Sequence, residues 1–364
     1  MYSNRKTILF IAGAKPTYPR NSGILELLRK NYDVIEITSP ASSYIFRFPI
    51  VFLKFLFRRR RHFDAIFVSW MGHPIVPFLK IFSRKPIVFD AFLSLFDSIC
   101  LERRKYKPSS FQGRLIFWLD KISCKLASIV VIDTNTHAAW FTKTFGIPRK
   151  KIKTFYICAD VNFFTDKEEE MTDDLFVVEF HGGFIPLQGV PVILQAAKIL
   201  STHKDIVFRF LGNGPELSQM KKMTDEMHLV NVEFFEKFVP LTEVADFIQK
   251  SNVALGIFGL MGKTYRVIPN KAYEGMATRR AVVTVDSPAA REILTNGKDS
   301  LLSKPGDPKD LSEKILRLKN DPKLRAKIAE EGYNTFKRVC DPELRLGQIN
   351  DFINEAISIH ENRS

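Results

Sequence analysis

Short apolar runs and segments of helical period alternate along this chain. In the first half the runs Thr7–Ala12, Asp33–Thr38, Ala65–Trp70, Ile87–Asp90 and Ser128–Asp133 are apolar almost throughout and are bounded by charged or turn-forming residues. Runs this short, without strict alternation, read as strands buried on both faces. Strands separated by helical stretches build a parallel sheet wrapped by helices. A polar, acidic segment at 164–174 interrupts the pattern, which then restarts. Leu175–Phe180, Ile206–Leu211, Val232–Phe235, Val253–Ile257 and Ala281–Val285 are the second set of strands, with Pro191–Leu200 and Leu217–Met227 helical between them. From Asp321 onward the period is that of amphipathic helices, Leu324–Phe336 and Pro342–Ile359 among them.

The pattern predicts an α/β chain of two Rossmann-like, doubly wound parallel-sheet domains facing a cleft, and 364 residues suit two cores better than one. The expected division is a first Rossmann-like domain at 1–163, a linker at 164–174, a second at 175–338 and a terminal helix at 339–364 able to cross back to the first domain. Ligands of such sheets bind beyond the carboxyl ends of the strands. The turns Gly13-Ala14-Lys15 and His181-Gly182-Gly183 occupy those places, and neither completes a GxGxxG fingerprint, which disfavours ordinary dinucleotide binding.

The stretch Ile268-Pro269-Asn270-Lys271-Ala272-Tyr273-Glu274-Gly275 carries the clearest chemistry. A proline and an Asn-Lys pair ahead of a helix present free N–H groups and a positive dipole end to whatever lies in front, which makes an anion site. Glu274, one turn inside, can accept hydrogen bonds from vicinal hydroxyls such as those of a ribose. An anion site beside a diol-binding acid suggests a nucleotide.

Hydrophobic and charged contents of 45% and 26% are ordinary for a globular chain, but a formal charge of +14 implies an anionic partner. Cys100, Cys124, Cys158 and Cys340 are far apart, with no CxxC and no nearby histidine pair, so they read as reduced cytosolic thiols and not as a zinc site. The run Ile8–Ala14 after Arg5-Lys6 is short for a signal peptide and lacks a small-residue cleavage pattern, so it reads as a buried first strand.

Taken in order, Gly182-Gly183-Phe184-Ile185-Pro186-Leu187-Gln188-Gly189, Leu211-Gly212-Asn213-Gly214-Pro215, Pro269 to Ala277 and Pro288-Ala289-Ala290-Arg291-Glu292 resemble the retaining glycosyltransferases of family four, which have the GT-B fold. The resemblance implies sugar transfer from a nucleotide-diphosphate sugar, with no cofactor and no metal. It implies that Glu274 binds the ribose, that Gly13, Gly182, Gly183, Gln188, Asn270 and Lys271 line the donor site, and that Gly212, Gly214 and backbone near Phe238-Val239 line the base pocket. The family's first acid, eight residues before Glu274, is Arg266 here, and its phosphate-binding Arg and Lys fall on Gly183 and Gln188. Arg266 and Lys271 are therefore expected to supply the missing cations. The family's acceptor-side histidine falls on Phe92, or on Asp90 after a small shift, so Asp90 and His73 are the acceptor-side candidates. At Arg279-Arg280 the family commonly has glycine and proline, and a changed helix end is expected there.

The segment Tyr44–Arg61 joins five phenylalanines to a four-arginine run. It is too short and too charged to span a bilayer, and suits an interface with Phe52 and Phe55 sunk and Arg58, Arg59, Arg60 and Arg61 on anionic headgroups. A membrane-facing first half favours a lipid-linked or glycan acceptor and a cytoplasmic enzyme peripheral to the inner face of the plasma membrane. Nucleic acid, the rival partner for the charge, ranks low because no binding motif surrounds the basic run.

Overall fold

The computed structural model describes residues 5–14, 18–41, 43–167, 175–237 and 239–362. Lys15, positions 168–174 of the expected linker and Phe238 lie outside the described residues. The chain forms two compact units, Met1–Tyr156 with Pro342–Ser364, and Ile157–Asp341.

The first unit runs β1 (Thr7–Ile11), α1 (Pro19–Asn31), β2 (Asp33–Ile37), α2 (Tyr44–Arg58), β3 (Ala65–Val68), α3 (Ile75–Phe82), β4 (Ile87–Phe92), α4 (Phe111–Leu126), β5 (Ile129–Ile132), α5 (Asn135–Phe145) and β6 (Ile152–Thr154). All pairings are parallel, in the order β2-β1-β3-β4-β5-β6. The strands β3, β4 and β5 are buried along their whole length, which is why their sequences show no alternation. Residues of α2, α3, α4 and α5 share one core cluster on the sheet. On the sheet's other cluster lie Ile24, Leu25 and Leu28 of α1.

In the second unit follow β7 (Phe176–His181), α6 (Val190–Ile199), β8 (Ile206–Leu211), α7 (Leu217–Glu226), β9 (Val232–Phe235), α8 (Leu241–Gln249), β10 (Val253–Leu255), α9 (Asn270–Ala277), β11 (Ala281–Val285), β12 (Leu301–Ser303), α10 (Pro308–Asn320) and α11 (Pro322–Val339). The sheet is again parallel, ordered β12-β11-β10-β7-β8-β9. Its course reverses between β7 and β10, and that switch point is where an open sheet leaves a crevice at its carboxyl edge. Asp307 and Asp321 cap α10 and α11, each followed by a proline at the first helical position.

The last helix, α12 (Pro342–Glu361), belongs to the first unit. Its Ile349, Phe352, Ile353 and Ala356 are buried in the cluster that holds α1, with Phe352 edge-on to Phe155.

Three expectations are corrected. Cys158 and Cys340 are not both free thiols: they form a disulfide with Cα atoms 5.7 Å apart, while Cys100 and Cys124 are free and buried. Phe55 cannot enter a membrane interface, because it is wholly buried beneath α2 with Val51; Phe52 is half-buried and stacked on Phe78, and Arg58 donates to the Glu36 carbonyl. The end of α9 keeps its left-handed residue despite lacking glycine: Arg279 takes φ +50°. The cost of roughly 1 kcal/mol is offset by ion pairing of Arg279 with Glu330 at 2.9 Å and by its stacking on Tyr333.

Candidate active site

The carboxyl end of β7 carries two buried polar side chains in an otherwise apolar strand, Glu179 and His181, two residues apart and so on one face. Glu274, one turn into α9, completes the set. His181 Nδ1 lies 3.0 Å from Glu179 Oε2 and its Nε2 lies 2.7 Å from Glu274 Oε2. A neutral imidazole has only one N–H, so donating to a carboxylate on each side requires the charged form. Burial alone lowers the affinity of His181 for its proton, but the two glutamates outweigh burial and raise its pKa from 6.5 to about 9.

Lys271, one turn before Glu274, is also buried. Its Nζ donates to Gln188 Oε1 at 2.6 Å and stands 3.6 Å from the centroid of the Phe180 ring. Burial lowers its pKa to about 7 against the pull of Glu179 and Glu274. Above this cluster runs the turn that follows β7. Gly182 has φ +129° and Gly212, after β8, has φ +141°, values that side-chain-bearing residues rarely adopt. A Cβ at Gly212 would fall 2.0 Å from the Gly182 carbonyl oxygen, so two bare backbones cross here. Lys271 Nζ reaches to 3.2 Å of the place a Gly182 Cβ would take, whereas Gly183 faces open space apart from the Asn213 carbonyl at 3.9 Å. The arrangement offers a carboxylate with one oxygen held, a buried ammonium and an uncrowded glycine turn at the switch point of the sheet.

The opposing shifts of His181 and Lys271 give a test of the cluster. Because its folded pKa is raised, His181 stabilises the fold fully below pH 6.5, and that contribution is lost as pH rises through about 9. Lys271, whose folded pKa is depressed, opposes folding below pH 7, and the penalty fades toward pH 10.5. Between pH 7 and 9 the two slopes therefore offset each other. In Lys271→Met only the His181 slope remains, and stability from denaturant midpoints is expected to fall by roughly 3 kcal/mol across that raised-pKa window. A profile as flat as that of the unaltered protein would count against a charged His181 bridge.

Residues 162–335 match the model of the family described as glycosyl transferases group 1. This segment is similar to that family. The chain is 28% identical over 166 residues to an uncharacterized glycosyltransferase of Methanocaldococcus jannaschii, covering 44% of this chain and 42% of that protein. It is 24% identical over 164 residues to the lipopolysaccharide core biosynthesis glycosyltransferase LpsD of Rhizobium meliloti, covering 45% of each. The matches thus span less than half the length of these relatives. Among solved structures, HepE of Anabaena in complex with UDP aligns over 95% of this chain and 98% of its own, with a TM-score of 0.71 and 15% identity. That likeness shows the same architecture of two parallel-sheet α/β domains.

Within the second unit the structure brings together Gly182, Gly183, Gln188, Gly212, Lys271 and Glu274. Gly214 backs onto the Phe184 backbone, half-buried Val239 precedes α8, and Asn270 is the exposed first residue of α9. Arg266 lies against Gly262 in the turn ahead of α9, and Lys271, the other expected replacement cation, reaches Gln188 and Gly182. Sequence reasoning missed Glu179 and His181 as partners of Glu274. The available signal was their alternation within a buried strand, where a polar residue is informative.

The acceptor-side candidates lie in the first unit. Asp90 is fully buried and receives Arg20 bidentately, Nε to Oδ2 at 2.8 Å and the second nitrogen to Oδ1 at 2.7 Å. Arg20 also donates to the Phe155 carbonyl and lies over the Phe92 ring. His73 is closed off from solvent, 3.4 Å from Asp120 and edge-on to Phe89, and burial lowers its pKa to about 3, leaving it neutral. Gly13 abuts Met71 and Gly72, joining the turns after β1 and β3 at the switch point of the first sheet.

Proposed function

We propose that the protein is a retaining glycosyltransferase that moves a sugar from a nucleotide-diphosphate sugar to a lipid-linked glycan or lipid acceptor in cell-surface polysaccharide or glycolipid synthesis. The observation that carries the reading is the juxtaposition of Glu274, held by His181, with Lys271 and the Gly182-Gly183 turn at the switch point of a group 1 glycosyl transferase domain. Glu274 receives the ribose hydroxyls on its free carboxylate oxygen. The diphosphate lies along the open face of Gly183, and its charge draws a proton onto Lys271, whose pKa near 7 makes it ready to charge when an anion arrives.

Departure of the nucleoside diphosphate concentrates negative charge on its terminal phosphate. Lys271 and the backbone N–H groups of the glycine turn offset that charge, so the protein's part is electrostatic and positional. The acceptor hydroxyl attacks from the side the leaving group departs, giving its proton to the leaving phosphate oxygen, and neither a protein nucleophile nor a metal takes part. The names of LpsD and of HepE's bound UDP support a sugar nucleotide and a glycolipid context. The basic, phenylalanine-rich α2, which leaves Phe46, Leu53 and Phe57 exposed, supports a site at the cytoplasmic face of the plasma membrane. Among the described residues no helix is long and apolar enough to cross a membrane.

The test is nucleotide release from a panel of UDP-, GDP- and dTDP-sugars, with and without membrane lipid extract. Release from one donor that requires lipid is the expected result. Release without lipid would instead indicate a hydrolase or, with an isomerised sugar, an epimerase. Donor binding without release on any extract would indicate a noncatalytic nucleotide-sugar-binding partner of an assembly complex, a reading favoured by Gly183 and Gln188 standing where the family has cations.

A further inference from the structure

The helix α4 leaves Phe111, Leu115, Trp118 and Ile122 exposed by 78, 59, 54 and 41%. Their spacing of four, three and four places them on one stripe, and Leu126, 39% exposed, continues it. Surface helices ordinarily carry polar residues there, and an apolar stripe of this extent marks a docking surface. Helix α3 packs beside α4, and α2 beside α3, so exposed Ile81, Leu53 and Phe57 extend the same layer.

Charge decides what covers this layer. Between Thr38 and Ala127 stand sixteen Lys and Arg against five Asp and Glu. Asp90, Asp97, Glu102 and Asp120 are buried, and half-buried Asp64 receives the Thr7 N–H, so the exposed ionic groups of this stretch are overwhelmingly cationic. At the carboxyl end of α4 opens a cavity of about 740 Å³ lined by Lys80, Lys125, Leu126, Lys150 and Lys151. Glu355, the one acid among the described residues of its wall, is engaged by Lys153 at 2.6 Å. Lys80 and Lys151 are tethered through their ammonium groups to the carbonyls of Lys85 and Lys125, which fixes where their charges stand. A stripe that is apolar along its length and ends in a cationic cavity complements a molecule with an apolar body and an anionic head. Trp118, with Lys121 over its ring, is a side chain suited to the water–lipid boundary.

We propose that α4 is a lipid-inserting element, its stripe entering the boundary of headgroups and acyl chains of an anionic bilayer while the lysine cavity takes a lipid phosphate. This deepens, and rests on, the membrane reading above, and it assigns to α4 and the cavity a part that the arginine run after α2 does not perform. The helix lies in the plane of the interface, with the exposed arginines and lysines of the layer on neighbouring headgroups.

The experiment is flotation of the full chain with vesicles of phosphatidylcholine alone or mixed with phosphatidylglycerol, with UDP binding measured on the same preparations. The unaltered protein is expected to float with the anionic vesicles only. Leu115→Ser/Trp118→Ser should weaken that binding by roughly tenfold or more with an unchanged melting midpoint, since both residues are exposed. Lys125→Glu/Lys150→Glu should weaken it comparably, and inorganic phosphate at constant ionic strength should not release the unaltered protein. Release by phosphate would overturn the lipid source of the cavity's ligand. Stripe variants that float like the unaltered protein while Phe57→Ser does not would overturn the part given to α4 and leave α2 as the contact. No flotation of the unaltered protein would overturn the membrane surface altogether, and intact UDP binding would then leave the donor-site reading standing.

Discussion

Under the proposed function, Glu274→Gln is expected to lower kcat/KM for the sugar-nucleotide donor by about a hundredfold, the equivalent of two charge-assisted hydrogen bonds weakened to neutral ones. The amide preserves shape and one acceptor oxygen but loses the charge that both the ribose hydroxyls and His181 meet. His181 would keep Glu179 as its sole carboxylate partner, and its pKa should fall from about 9 toward its ordinary value. The loss should appear in UDP binding by calorimetry as well as in turnover, because the ribose contact exists before any bond breaks. A variant that binds UDP as the unaltered protein does would remove Glu274 from the donor site. Retained binding of UDP with turnover lost would instead place the carboxylate near the sugar.

Asp90→Ala should cost about 3–5 kcal/mol, the usual consequence of removing one partner of a buried ion pair. The Arg20 side chain is only 6% exposed and Asp90 is wholly enclosed, so the guanidinium left behind cannot turn to water. Its remaining contacts, the Phe155 carbonyl and the faces of Phe92 and Phe155, satisfy one donor, and the charge of Asp133 compensates the guanidinium only in part. A melting midpoint lower by the order of 10 °C is expected for a unit of this size, and Arg20→Leu/Asp90→Leu should recover most of it. This bears on the acceptor-side role that the resemblance suggests for Asp90. Activity lost together with the melting midpoint, and restored in the double variant, would make Asp90 a structural anchor of β4. Activity lost in Asp90→Asn at an unchanged midpoint would favour contact with the acceptor.

Much of the fold was legible because buried parallel strands leave an unambiguous trace: β3, β4 and β5 are apolar on both faces and short. The strands β6 and β12 escaped notice, since three residues at a sheet edge carry too little pattern. The second unit's part of the candidate site was legible as far as local signals reach, through Pro269 ahead of α9 and Glu274 a turn inside it. What closes the site was not, because Glu179 and His181 meet Glu274 from a strand more than ninety positions away, and only the sheet order brings them together. The pairing of Arg20 with the candidate Asp90 escaped for the same reason, the two lying seventy positions apart. In α2 the density of phenylalanine concealed the helical period, which turns Val51 and Phe55 inward and Phe46, Leu53 and Phe57 outward. At Arg279 the missing glycine misled, because a left-handed residue can be held by an ion pair and a ring instead of being avoided.

The disulfide joins residues 182 positions apart, and its two cysteines stand within two residues of the first and last positions of the second unit. The second unit is therefore a closed covalent ring, from which the chain leaves twice at a single junction. One backbone cut anywhere in that ring opens it without dividing the molecule: the two pieces stay bonded, migrate together under oxidising conditions and part only when the sulfur bridge is reduced. A break elsewhere in the chain has no such protection, so the second unit is the part of this protein whose integrity survives a single proteolytic event.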